Sequence, residues 1–370
     1  MTGPVALGWN DEVAASLATA AGRSGRELIP GRVVIQQRDR SIVAAGPDAV
    51  EVAAVVSGRF RHAAAAAADF PAVGDWVGPE PPADGRGLAV VQAVLPRRSA
   101  FVRRAAGSAV GAQVVAANVD VVLLATSLDE DLNPRRLERY LAVAWESGAQ
   151  PRLLLTKADR CPDEDDLERR LASVALATGP IPWLAVSART GQGLAELTAW
   201  FDPARTVALL GSSGVGKSTL INRLVGAERQ VTRPVRAGDS RGRHATVRRE
   251  LVRLPGGGLV VDTPGLRELG IWEGDGLGDA FGEVERLAEG CRFRDCRHRA
   301  EPGCAMRAAV AEGRLDPARL GNRRKLREEL AALDERRAGP GAHRRFWRSI
   351  RDASKERLAA RSDPSLGPER

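Results

Sequence analysis

Long apolar runs are absent. None approaches the roughly 18 consecutive apolar residues that a membrane-spanning helix needs, so such a helix is excluded. The first residues lack a basic segment leading into an apolar stretch with a small-residue cleavage site, so no secretory leader is read there and a soluble cytoplasmic protein is expected. Cysteine is scarce, with four residues in 370, and three of them fall between positions 291 and 304. That clustering is unlike a secreted disulfide framework and points to metal ligation. Lysine is scarce as well, supplying only 4 of the 55 basic residues.

What is present is enough for real cores. A length of 370 residues with 44% hydrophobic content suits two or three domains and excludes disorder throughout. The net charge of +8 is uneven, because residues 291–370 carry 21 Lys and Arg against 12 Asp and Glu, leaving the rest near neutral. A C-terminal region charged in this way favours a polyanion, and in a cytoplasmic protein that polyanion is expected to be RNA.

The pattern changes along the chain. Residues 1–27 are Ala/Gly-rich with one weakly amphipathic stretch and read as an N-terminal extension. Residues 28–110 contain short β-branched runs (32–35, 41–44, 49–56, 75–77 and 88–95) separated by Gly, Pro and Asp turns, the pattern of a small β-barrel. Residues 111–275 alternate apolar strands (120–126, 152–156, 183–187, 206–210 and 259–262) with helical segments such as 135–145 and 164–175, the signature of a doubly wound α/β domain. Residues 276–335 read as helical, with Leu326, Leu330 and Leu333 on one face for packing, and 336–370 form a basic tail.

The strongest motif is Gly211-Ser212-Ser213-Gly214-Val215-Gly216-Lys217-Ser218, which fits G-x-x-x-x-G-K-[ST] at each fixed position, between the strand 206–210 and a helix that Thr219 continues. Backbone N–H groups and a helix dipole face the phosphates, Lys217 neutralises the outer ones, and Ser218 ligates magnesium. The base is read elsewhere. Thr156-Lys157-Ala158-Asp159 closes one strand, where the carboxylate accepts two bonds from a guanine edge while the Lys stem packs on the base. Ser187-Ala188 closes the next, where a backbone N–H meets the guanine carbonyl. Adenine presents the opposite pattern, so Asp159 selects against it. Asp262-Thr263-Pro264-Gly265 follows an apolar strand; its Asp holds magnesium through water and its Gly N–H senses the γ-phosphate.

In chain order these are base motif, Ser-Ala, phosphate loop, switch segment and D-T-P-G, the order of a circularly permuted GTPase. Over about residues 30–335 the chain resembles the RsgA (YjeQ) family. The resemblance implies a multidomain α/β protein: an N-terminal OB-fold barrel, a permuted P-loop GTPase domain, and a C-terminal helical zinc domain with the spacing C-x4-C-x-H-x5-C. Cys291, Cys296, His298 and Cys304 have that spacing, and three thiolates with one imidazole also make a closed, structural zinc site by their own chemistry. Cys161, alone beside Pro162, is read as incidental.

Arg241-Gly242-Arg243-His244-Ala245-Thr246 resembles the family's G-R-H-T-T switch. Thr246 is assigned as the magnesium-binding threonine because Ala245 has no hydroxyl. Leu266 stands where a Ras-type GTPase places a water-orienting Gln, so His244 is the residue expected to position the attacking water. Thr156 replaces the Asn of the commonest base motif. The resemblance further implies a monomer that binds GTP and GDP, grips the RNA of the small ribosomal subunit through barrel and zinc domain, and hydrolyses GTP slowly until the subunit accelerates it. Arg97, Arg98, Arg103 and Arg104 at the barrel's end are read either as phosphate contacts or as an ordinary solvated surface. Two other readings stay open: an RNA-linked ATPase, if Asp159 does not read the base, and an RNA-binding assembly factor for which GTP is only a conformational ligand.

Overall fold

The computed structural model describes residues 3–37, 40–82, 87–104, 112–129, 131–226, 249–262, 269 and 274–336. His244, Ala245, Thr246, Gly265, Leu266 and the tail beyond Arg336 lie outside the described residues, as does the side chain of Asp262.

The N-terminal barrel is built from β1 (Gly31–Gln36), β2 (Ser41–Ala45), β3 (Val50–Val56), β4 (Trp76–Glu80) and β5 (Ala89–Val94). Its strand order is β1-β2-β3-β5-β4, with β4 pairing back to β1 and β3 running parallel to β5. This is the five-stranded Greek-key closure of an OB-fold. Val33, Val43, Ala54, Val77 and Val91 fill it, as the alternation of the predicted strands requires. Residues Asp11–Ser24 form a helix, α1, that is part of this unit. Asn10 caps it by accepting from the N–H of Val13, Gly25 ends it in the left-handed conformation, and its buried Val13 and Leu17 join the core that holds Leu28 and Trp76. The alanine-rich stretch after β3 forms the end of a short helix, α2 (Gly58–Ala63), and a 3-10 turn (Ala67–Asp69).

Two strands that the sequence pattern did not reveal, β6 (Ala100–Arg104) and β7 (Ala112–Ala117), form a separate hairpin. They lead into the α/β domain: β8 (Val121–Ser127), α3 (Pro134–Ser147), β9 (Gln150–Thr156), α4 (Glu164–Thr178), β10 (Trp183–Ala185), α5 (Leu194–Ala199), β11 (Thr206–Gly211), α6 (Lys217–Val225), β12 (Arg249–Arg253) and β13 (Leu259–Asp262). The sheet order is β10-β9-β8-β11-β13-β12, parallel except for β12. Both faces are covered. Leu124, Leu153 and Leu210 pack in the core with α3 and α4, and Leu123, Leu154 and Leu209 pack in the core with α5 and α6. Burial on both faces explains why the strands read as continuous apolar runs. At one edge β12 pairs with β1 (Ile35 opposite Glu250), so the barrel and the α/β sheet are hydrogen-bonded into one surface.

The C-terminal lobe contains α7 (Asp275–Ala280), α8 (Gly282–Glu289), α9 (Ala305–Ala311) and α10 (Pro317–Arg336). Helix α7 lies on α3 at backbone contact, because a Cβ at Gly276 would stand 2.0 Å from the carbonyl oxygen of Ala142. Leu326 and Leu333 of the α10 stripe are buried, the packing role read for them. No described helix is long and apolar enough to cross a membrane.

The arginines at the barrel's end are a correction. Arg97 is buried with both Nε and Nη2 donating at 2.7 Å to the carboxylate of Asp75, and with further bonds to the carbonyls of Ala68 and Phe70. Arg98 faces Asp120 at 3.7 Å, and Arg103 donates to Gln113. Arg97 is thus bound inside the protein, while Arg98 and Arg103, both half-buried, have protein partners of their own. The spacing of basic residues in the sequence gave no sign of a partner such as Asp75, 22 residues from Arg97.

Candidate nucleotide site and metal cluster

A parallel sheet delivers its C-terminal strand ends to one edge, where open α/β folds bind ligands. The ends of β11, β8, β9, β10 and β13 therefore bring Gly211, Ser127, Thr156, the segment from Ser187 and Asp262 to the same edge. The phosphate loop runs from Gly211 to the first turn of α6. Gly214 and Gly216 have φ of 79° and 99°, a conformation that glycine adopts without strain. Gly211 has no room for a side chain, since a Cβ would meet the carbonyl oxygen of Ala125 at 2.4 Å. The Lys217 ammonium arches over the loop and donates to the carbonyls of Gly211 (2.6 Å) and Ser212 (2.5 Å). Ser213, Gly214 and Thr219 are exposed, Ser218 is half-buried, and Val215 anchors the loop in the core.

The base motif is bound to this loop. The hydroxyl of Thr156 is buried and donates to the carbonyl of Val215 at 2.6 Å, which joins the end of β9 to the middle of the phosphate loop. The residue in the place of Asn thus acts as a strut between the base and phosphate ends. Lys157 adopts a left-handed conformation (φ 58°), and its ammonium pairs with Asp129 at 2.9 Å. Asp159 accepts from the Ser187 hydroxyl at 2.5 Å on one oxygen and from Nε of Arg189 at 2.8 Å on the other. Those bonds lower its pKa, that of Ser187 most, against the opposing effect of burial. The structure therefore brings Asp159 and Ser187, predicted separately, into direct contact, with Ala188 beside them.

Sequence reasoning missed the contribution of β8. Burial raises the pKa of Asp129, but bonds from Ser127, Lys157 and the N–H of Asp131 outweigh it and bring the value down to about 2. The same oxygen of Asp131 accepts from the Ser212 hydroxyl and pairs with Arg136 of α3, each at 2.9 Å. The available signal was three polar residues (Ser127, Asp129 and Asp131) at and just beyond the end of the parallel strand β8, at the edge where ligands bind. Cys161 lies near the Leu128 carbonyl, its thiol pushed up by burial, and joins no cluster.

The second site is in the C-terminal lobe. Cys291 follows α8, Cys304 precedes α9, and Cys296 and His298 sit on the loop between, where His298 takes a left-handed conformation (φ 58°). Their ligand atoms lie within 4.8 Å of one another. The fit to zinc can be tested on distances. Zn–S and Zn–N bonds of about 2.3 and about 2.0–2.1 Å in a tetrahedron imply S···S of about 3.8 Å and S···N of about 3.6 Å. The Cys291–Cys304 sulfurs are 4.0 Å apart, and Nδ1 of His298 is 3.5 Å from Cys291 and 3.6 Å from Cys304. Burial lowers the pKa of His298, and the N–H groups of Ala305 and Met306 lower that of Cys291 against the effect of burial. Both effects favour the forms that bind a metal, whereas burial pushes the Cys296 thiol the other way, up to about 11, an effect that a bound cation would offset. The donor set fits one zinc ion.

The arrangement matches known proteins along most of its length. Residues 94–272 match the family model described as RsgA GTPase. A protein of Opitutus terrae called small ribosomal subunit biogenesis GTPase RsgA is 47% identical over 363 residues, covering 95% of this chain and 96% of that protein. A Lactiplantibacillus plantarum protein of the same description, RsgA 2, is 46% identical over 82% of this chain and 84% of its own. Among solved structures, YjeQ from Thermotoga maritima superposes with a TM-score of 0.61 at 27% identity, covering 82% of this chain and 98% of that one. YloQ, described as a circularly permuted GTPase, shares the fold with a TM-score of 0.57 at 23% identity over 84% of this chain and 97% of its own. With base motif, phosphate loop and D-T-P-G strand in permuted order on one sheet edge, and relatives that match it nearly end to end, this chain belongs to the RsgA family of circularly permuted GTPases.

Proposed function

We propose that this protein is a GTPase of small ribosomal subunit biogenesis, binding GTP at the 211–219 loop and hydrolysing it when engaged with the subunit in the cytoplasm. The observation that carries the reading is the meeting of Asp159, Ser187 and the Thr156–Val215 strut at the edge that also presents Lys217. One carboxylate faces the base end while the N-terminus of α6 faces the phosphates.

Lys217 exchanges its two carbonyl partners for phosphate oxygens, and the backbone N–H groups of residues 213–218 orient them. Ser218, Thr246 and, through water, Asp262 are the residues that would hold magnesium, which would supply charge to offset the charge developing on the phosphate oxygens. Gly265 reports the γ-phosphate, and His244 orients the attacking water that no Gln at position 266 can hold. Without that carboxamide the rate alone is low, and the subunit supplies the missing order. Cys291, Cys296, His298 and Cys304 would hold one zinc in a structural role, since four protein ligands leave no position open for chemistry. The protein acts as a monomer, with barrel and C-terminal lobe gripping ribosomal RNA.

The test is GTP and ATP hydrolysis with and without small subunits. Strong stimulation confined to GTP is expected, and Lys217→Ala should abolish binding. Equal rates with and without subunits would overturn the coupling. Full support of subunit maturation by a His244→Ala protein that cannot hydrolyse GTP would mean that GTP serves only as a conformational ligand.

A further inference from the structure

Asp129 uses its two carboxylate oxygens for different tasks. Oδ1 accepts from the Ser127 hydroxyl at 2.6 Å and from the N–H of Asp131 at 3.1 Å, which folds the loop that follows β8. The backbone carbonyl of Asp129 accepts from Arg170 of α4 at 2.9 Å, so this loop is also tied from outside. Oδ2 serves the base motif: it accepts from the Lys157 ammonium at 2.9 Å and, more loosely, from exposed Arg160 at 3.5 Å. At its other end the Lys157 stem leaves a backbone that is itself fixed. The N–H of Arg160 donates to the carbonyl of Lys157, and the N–H of Ala158 donates to that of Val186. The stem is thus held at both ends, between the ends of β9 and β8, while 27% of the side chain stays exposed to receive a ligand. Asp159 turns the other way, to Ser187 and Arg189 beyond β10, and β9 lies between β8 and β10 in the sheet.

We propose that Asp129 is a positioning residue for the base: by holding the ammonium it keeps the Lys157 stem in place as the support for one face of the guanine ring. This rests on the reading that Asp159 and Lys157 recognise guanine. A loose lysine stem gives up rotamer freedom when a ring packs on it. A stem already held has given that up before the nucleotide arrives, and affinity rises accordingly. Support of the ring face is blind to the substituents on its edge. Asp129 therefore sets how tightly the ring is held, and Asp159 sets which edge is accepted. Asp129→Asn separates the two tasks of the carboxylate, since its amide oxygen still accepts the loop bonds while an NH2 group replaces the acceptor of Lys157.

The experiment measures equilibrium binding of fluorescently labelled GDP to the full-length wild type, Asp129→Asn, Lys157→Met and the double variant. Unlabelled GDP and inosine diphosphate, which lacks the 2-amino group that Asp159 reads, serve as competitors. Asp129→Asn is expected to bind GDP about three- to fivefold more weakly, the size of a lost, partly exposed ion pair. Inosine diphosphate weakens by the same factor, so the preference between the two stays as in wild type. Lys157→Met keeps a stem with no charge to anchor and also binds more weakly than wild type; adding Asp129→Asn to it brings no further loss. An equal loss from Asp129→Asn in both backgrounds would mean that it acts through the loop after β8. Unchanged affinity would remove any role, and tighter binding would mean that the pair holds the lysine away from the base; each of these three results overturns the proposal. A wild-type protein without preference for GDP over inosine diphosphate would overturn the base reading itself.

Discussion

The α/β domain is joined to its neighbours by two buried arginines that solve the same problem in opposite ways. At the barrel joint, Arg32 is fully buried and donates only to neutral acceptors: the carbonyls of Leu7, Gly74 and Asn118 and, at 2.7 Å, the hydroxyl of Thr206. Its guanidinium lies over Trp76, 5.1 Å from the ring centre, and burial lowers its pKa to about 10. At the C-terminal joint, Arg319 is just as deep but meets carboxylates, bonding Glu283 and, at 3.0 Å, the fully buried Glu138 of α3, besides the carbonyls of Ala177 and Ala280. Burial alone lowers its pKa, yet Glu283 and Glu138 raise it above the usual arginine range. One joint is a hydrogen-bonded hub whose charge touches no carboxylate and is offset only at a distance, by Asp120 and Asp75. The other is an ionic hub whose parts depend on each other.

The largest expected effect follows from that dependence. Arg319→Met leaves Glu138 as a buried carboxylate facing Arg135 and Asn322 alone, and a broken buried pair costs about 3–5 kcal/mol. Hydrogen exchange along α10 and α3 should accelerate accordingly. Replacing both partners, Glu138→Leu with Arg319→Met, should recover more than half of the loss, because an apolar pair of similar volume has no charge to desolvate. If the double variant were as unstable as the single, the ionic account of this joint would fail.

The next effect is smaller and concerns order. At the barrel joint Arg32→Met removes a buried charge but leaves acceptors unpaired, with a net cost of about 1–2 kcal/mol. Arg32→Lys should cost more, because the ammonium stays charged and strongly hydrated while reaching fewer acceptors. At the C-terminal joint the order inverts: Arg319→Lys still neutralises Glu138 and Glu283 and is milder than Arg319→Met. Urea unfolding followed by exchange at β1 and α10 separates the two joints. The same order at both would erase the distinction.

These joints also show what a sequence can and cannot disclose. The phosphate loop, the base motif, Ser-Ala and the Cys/His cluster were legible because each is local, a few residues whose spacing alone fixes their geometry. The barrel strands were legible through alternation, and β11 through its apolar run. The strands β6 and β12 were not, being short and each flanked by arginine. Arg32, Arg97 and Arg319 were illegible for a different reason. Nothing near Arg319 in the sequence distinguishes it from the exposed arginines of α10, since its carboxylate partner Glu138 is 181 residues away. Thr156 illustrates the same limit: the sequence showed only a departure from the usual Asn, and the fold gives its hydroxyl a partner in the phosphate loop, 59 residues on.

The smallest effect is in pH, and its sign separates the joints once more. Glu285 joins α8 to α10 through Arg323 (2.7 Å) and Arg327 (3.1 Å); burial raises its pKa, but the two arginines outweigh this and lower it. Asp316, at the start of α10, is lowered in the same way, by the N–H of Ala318 and by Arg135 against the effect of burial. An acid with a depressed folded pKa contributes stability that is fully present above its unfolded value and is lost as pH falls through the folded one. Between roughly pH 4.5 and the lower folded values, α10 should therefore loosen, by about 1 kcal/mol or less because both groups are partly exposed. Arg32 has its lowered pKa near 10 and no carboxylate partner, so protonation of acids does not touch its bonds. Exchange rates corrected for pH should show α10 opening below pH 4.5 while β1 stays protected. Simultaneous opening of both would mean that the acid sensitivity lies elsewhere, outside the ionic hub.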